Sequence, residues 1–135
     1  MKDLLRRQRA VNATLAKYRD MPFDWRKGAT CLHLARFHLK KMGHRPEKLP
    51  RIRSMLAARR ALDVRGWKDT GEMLASMLPE ITPAEMLLGD IAVLKSGDDL
   101  GAITISLGGK VMGWHEDYPG MTALEPLSIA RAFRA

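Results

Sequence analysis

A chain of 135 residues, 46% of them apolar, is long enough for one domain with one modest core, and this composition argues against wholesale disorder. Its single cysteine, Cys31, excludes an internal disulfide and with it a disulfide-stapled secreted scaffold. Charge is split along the chain: residues 1–68 hold 19 Lys and Arg against 5 Asp and Glu (+14), and residues 69–135 hold 4 against 10 (−6). Such a split fits nucleic acid, anionic envelope polymers, an acidic neighbouring surface, or simply solvated helix faces.

The first segment, residues 2–19, has helical period. Leu4, Val11, Leu15 and Tyr18 share a narrow stripe, with Arg6, Arg7, Arg9, Lys17 and Arg19 off it. Residues 1–20 are therefore expected to form a basic amphipathic docking helix, and residues 21–135 the main domain. No long apolar run follows the N-terminal charges, so a signal peptide is not expected. No stretch reaches the roughly 18 apolar residues of a membrane span, so membrane insertion is not expected either. Synthesis in the cytoplasm follows.

Pro22 to Gly28 breaks the helix, and a second one is expected over residues 30–42, closed by Gly43. Its inward stripe is Cys31, Leu34, Ala35, His38 and Met42. A third helix is expected over residues 51–65, with Ile52, Met55, Leu56 and Leu62 inward and Gly66 closing it. Asp69 to Glu72 reads as a capping box for a short helix through Met77, and Thr82-Pro83-Ala84-Glu85 as another with Pro at the first helical position.

After Gly89 the period changes to two. Residues 90–94, 102–107 and 110–115 read as strands, with Ser96 to Asp99 and Gly108-Gly109 as turns. Pro119-Gly120 is a further turn, and Ala132-Phe133-Arg134 a last strand. Helices first and an antiparallel meander second define the α+β class, with helices packed on a small antiparallel sheet.

Cys31 is the residue with most chemical potential. In the first turn of a helix, the free N–H groups and the positive dipole end favour thiolate, and Arg26 and Lys27 act the same way. The plainer alternative is a small hydrophobe on the core stripe. A nucleophilic thiolate needs a base within about 3 Å. His38 lies roughly 10 Å along the helix by its rise, His33 points off the stripe, and His44 follows the helix end. His115 on the return strand, followed by Glu116 and Asp117, is the remaining candidate base. No residues have metal-ligand spacing and no Gly-rich phosphate loop is present, so neither metal nor cofactor is expected.

The ordered set Phe23-Asp24-Trp25, Cys31 opening a helix, Gly89-Asp90, Gly108-Gly109 and Ala132-Phe133-Arg134 resembles the NlpC-type cell-wall cysteine peptidases. More narrowly, it is similar to a small phage- and prophage-borne family related to them and often found among tail genes. The resemblance covers residues 21–134 and implies a papain-like fold. Three departures stand out. Arg26 replaces a Gly after the tryptophan, Thr30 replaces the Asp before the cysteine, and Leu100-Gly101-Ala102-Ile103 occupies the segment where those peptidases begin a strand with the general-base histidine. The resemblance with these departures implies a structural component of a bacteriophage or phage-like tail, at the tail tip, on a degenerate peptidase fold. Its partners would be other tail proteins, met through the basic N-terminal half, and its location the virion. The alternative is an active peptidoglycan endopeptidase using Cys31, with His115 as base and peptidoglycan as partner. Nucleic-acid binding is disfavoured, because the sequence carries no recognised motif and its aromatics are not interleaved with its basic residues.

Overall fold

The structure, a computed structural model, describes residues 2–97, 100–114, 120–125 and 129–135. Helix α1 (Lys2–Tyr18) buries Arg7, Ala10, Val11, Thr14 and Tyr18, which recur at three and four and so share one face. That face packs against helix α2 (Cys31–Lys41). Val11 and Tyr18 are buried as their stripe predicts, but Leu4 is 54% exposed and Arg7 is buried in its place. The face is displaced because Arg7 meets a buried carboxylate, described below.

Helix α2 begins where Thr30, in extended backbone, turns its hydroxyl onto the His33 N–H. It ends in a Schellman closure: His44 N–H donates to Leu39 O at 2.9 Å, with Gly43 at φ +98°. Leu32, Leu34, Ala35, His38, Leu39 and Met42 are buried, while Cys31 is half-buried against the core. Helix α3 (Met55–Val64) starts later than its apolar pattern predicts, because Ser54 takes the N-cap and accepts from Ala57 N–H at 3.1 Å. Ile52 and Leu62 are buried, but Leu56 is 57% exposed. Helix α4 (Thr70–Ala75), capped by Asp69, stops short of Met77.

Among the described residues, six strands form one antiparallel sheet: β1 (Glu80–Ile81), β2 (Ile91–Leu94), β3 (Ala102–Ser106), β4 (Val111–Trp114), β5 (Met121–Leu124) and β6 (Ile129–Phe133). A 3₁₀ turn at Pro83–Glu85, with the capping box expected at Thr82, separates β1 from β2. The spatial order is β1-β6-β2-β3-β4-β5, so the meander β2 to β5 is extended when β6 returns to the free edge of β2. A bulge in β6, opposite Val93 and Leu94, lets Arg131 and Ile129 pair with consecutive residues. Strands β1 and β5 are too short or too irregular in pattern to be read from sequence.

Helix α2 packs on β3, and Leu34, Leu39, Leu74, Ile91, Ile103, Ile105 and Phe133 are among the largest fully buried side chains. Each such burial stabilises the fold by about 1.5–3 kcal/mol relative to exposure. The polar residues of β3 are buried too: Thr104 donates to Ala92 O at 2.9 Å, and Ser106 Oγ accepts from Gly108 N–H at 3.2 Å.

Candidate functional site

The segment before Cys31 folds back on itself. Asp24 and Ala29 exchange both backbone hydrogen bonds at 2.9 Å, and Asp24 Oδ1 accepts from Arg26 N–H at 2.9 Å, an Asx turn. Phe23 stacks edge-on against Trp25 and Trp114, whose indole N–H donates to Met21 O at 2.8 Å, so β4 pins the loop. This closed loop fixes where α2 starts and makes Cys31 its first helical residue.

Thr30 is fully buried, and its hydroxyl is used twice. It accepts from His33 N–H at 3.4 Å and lies 2.7 Å from His33 Nδ1. Burial holds the His33 imidazolium below its usual range, and Lys17 and Arg36 add to this. With the ring neutral, Thr30 Oγ1 and His33 Nδ1 share one hydrogen bond whose direction follows the tautomer. His33 is thus held by the helix cap.

His38 is completely buried. Its Nε2 lies 2.8 Å from Gly89 O, which can only accept, so Nε2 carries a proton. Burial, chiefly, holds its imidazolium down against the opposing Gly89 hydrogen bond, so Nδ1 bears a lone pair facing Thr14 Oγ1 at 2.9 Å. Both ring nitrogens thereby join α1, α2 and the start of β2. His115, with Glu116 and Asp117, lies outside the described residues.

The segment Leu100–Ala102 is taken up by packing. Leu100 is buried, and its carbonyl accepts from both the Thr70 N–H (2.9 Å) and the Thr70 hydroxyl (2.8 Å). Gly101 has φ +89°, a left-handed conformation that L side chains avoid. A Cβ there would stand 2.7 Å from Val93 Cγ1 and 2.8 Å from Thr70 Oγ1. Ala102, half-buried, opens β3 opposite Leu94. The first turn of α4 thus packs directly against the start of β3.

The strongest electrostatic feature was not legible as a unit. Asp90, with no exposed surface, accepts four hydrogen bonds. Oδ1 takes Arg7 Nη1 at 2.8 Å and Ala135 N–H at 3.0 Å; Oδ2 takes Leu87 N–H at 2.8 Å and Arg134 Nη1 at 3.0 Å. Arg7 also reaches Asp3 Oδ2 at 2.8 Å and Leu88 O at 3.0 Å. Burial alone would push its guanidinium down, but the bonds to Asp90 and Asp3 outweigh that and raise it. The signal available in the sequence was an aspartate abutting the apolar run Ile91-Ala92-Val93-Leu94, which demands a buried cation. Nothing in the pattern says that the cation comes from α1.

A family model described as a domain of unknown function (DUF6950) matches residues 4–135, from the first turns of α1 through β6. The chain belongs to this family. No curated protein matches it. In this member of the family, Arg7, Asp90 and Arg134 all fall within the matched span. Among the described residues, no three His, Cys, Asp or Glu side chains cluster as metal ligands. No described helix is long and apolar enough to cross a membrane.

Proposed function

We propose that this chain is a structural component of a bacteriophage or phage-like tail, at the tail tip. On this reading its α+β fold is of the NlpC, papain-like type, and the place of the catalytic base has been given over to packing. The observation that carries the proposal is the state of Leu100 and Gly101. Thr70 holds the Leu100 carbonyl twice, and Gly101 has no space for a side chain. The engagement of His38 by Gly89 and Thr14 supports the same reading, since both of its ring nitrogens are taken. The N-terminal basic half then serves contacts with neighbouring tail proteins.

The second reading, a peptidoglycan endopeptidase with Cys31 as nucleophile and His115 as base, is favoured by the place of Cys31 at the first residue of α2. One pair of measurements separates the two. The chain should be detected in purified particles, and Cys31→Ala should leave particle yield and infectivity unchanged. Absence from particles refutes the structural role. Release of peptide from purified peptidoglycan by the native protein, abolished in both Cys31→Ala and His115→Ala, establishes the enzyme instead.

A further inference from the structure

Between α1 and α2 runs a cleft of about 460 Å³, within the range of ligand sites, which is roughly 300–1,000 Å³. Lys17, Arg36, Lys40 and Lys41 line it, over a floor of Tyr18, Phe37 and His33. Among the described residues, no carboxylate lines the cleft and none of the four cations pairs with one. We propose that this cleft binds an acidic peptide segment, rich in Asp and Glu, of a neighbouring protein; that the neighbour is a tail protein rests on the reading above.

The argument is one of charge and of ring faces. Lys17 Nζ stands 4.5 Å and Lys41 Nζ 5.4 Å from the centroid of the same Phe37 ring, so like charges crowd one small floor. The two ammonium groups add to one positive field, and a concave cleft strengthens its pull on an anion that enters. The field is felt at His33, where Lys17 and Arg36 add to burial in disfavouring the imidazolium. Single-stranded nucleic acid needs open aromatic faces on which bases stack. Here Phe37 is covered by two ammonium groups, and Tyr18 is edge-on to both Phe37 and Trp114.

The test is fluorescence anisotropy of the full chain with fluorescein-labelled hexaglutamate, at low and high salt, with an oligothymidylate of equal charge as comparator. Lys17→Met with Lys41→Met keeps the stems over Phe37 and removes two charges; Lys68→Met with Lys95→Met removes two outside the cleft. We expect hexaglutamate to bind more tightly than oligothymidylate. Binding should fall about tenfold in the cleft variant and less than about twofold in the control. Equal losses in both variants, tighter binding of oligothymidylate, or no binding at low salt each overturn the proposal. A chain absent from particles that still binds hexaglutamate refutes the tail reading alone, and the converse result refutes the cleft alone.

Discussion

Replacing Asp90 by asparagine tests whether the buried ion cluster holds the fold. The substitution keeps the shape and one acceptor oxygen. If that oxygen stays with Arg7 and Ala135, the new amide faces Leu87 N–H and Arg134 Nη1, two donors that it cannot satisfy. The charge is lost as well, which leaves the Arg7 guanidinium, only 5% exposed, beside a neutral partner. Removing one member of a buried ion pair typically costs about 3–5 kcal/mol, and an orphaned buried N–H about 1–3 kcal/mol. Asp3 retains part of Arg7's charge compensation, so the lower part of the combined range, about 4 kcal/mol, is expected. Against a total stability of about 5–15 kcal/mol, this is a large fraction, equivalent to a drop of roughly 10–20 °C in Tm. Urea titration followed by tryptophan fluorescence measures it directly, and Asp90→Asn in an Arg7→Met background gives the coupling. A loss below about 1 kcal/mol, or additivity of the two substitutions, would mean that water reaches the cluster and that the clamp argued here does not exist.

Three further outcomes follow from single sites. The pKa of His38 is depressed in the fold, so between about pH 6.5 and that lower value the unfolded chain binds a proton that the native one refuses; stability falls as pH drops below about 6.5. His38→Gln should flatten the urea-midpoint slope over that window, leaving the share that His33 contributes in the same direction; an unchanged slope would exclude His38 as its source. Gly101→Ala combines left-handed strain with overlap on Val93 and Thr70 and should cost about 2–4 kcal/mol, whereas Gly108→Ala, at φ +103° with open space around it, should cost only about 1 kcal/mol; equal losses would refute the packing argument. Asp69→Ala removes the cap that accepts from Glu72 N–H at 2.9 Å and should lower stability by about 1 kcal/mol in the same titration, no change being the contrary result.

The elements legible in the sequence are those with local causes. Helix α2 was bracketed by Thr30 and Gly43, the helix-to-sheet change by the switch of period at Gly89, and the β3–β4 hairpin by Gly108-Gly109, across which Leu107 N–H donates to Lys110 O at 2.7 Å. What was not legible depends on contacts far apart in the chain. The burial of Arg7 follows from Asp90, 83 positions away, and a hydrophobic stripe scores that arginine as solvent-facing. Strand β1 is two residues long and exists because β6 offers an edge. Leu56 fits the helical period but points into solvent, because Ser54 begins the helix late and Leu62 and Ala58 take the inward face.

The same distinction bears on the candidate site. Several residues that carry the resemblance to the cell-wall peptidases have structural work here that involves no catalysis. Asp90 of the Gly-Asp pair and Arg134 of the closing triplet meet each other at 3.0 Å, and Gly89 lends its carbonyl to His38. These positions are tied to the fold by buried charge and hydrogen bonding, which accounts for them without any catalytic role. On the proposed reading, the positions that would decide activity lie elsewhere, at Thr30 and Leu100–Ala102. There the departures are accommodated: Thr30 caps α2, and Gly101 leaves room for Val93 and Thr70. Restoring a histidine at 101 would therefore have to displace the first turn of α4, so a single substitution should unfold this corner before it could create a base for Cys31.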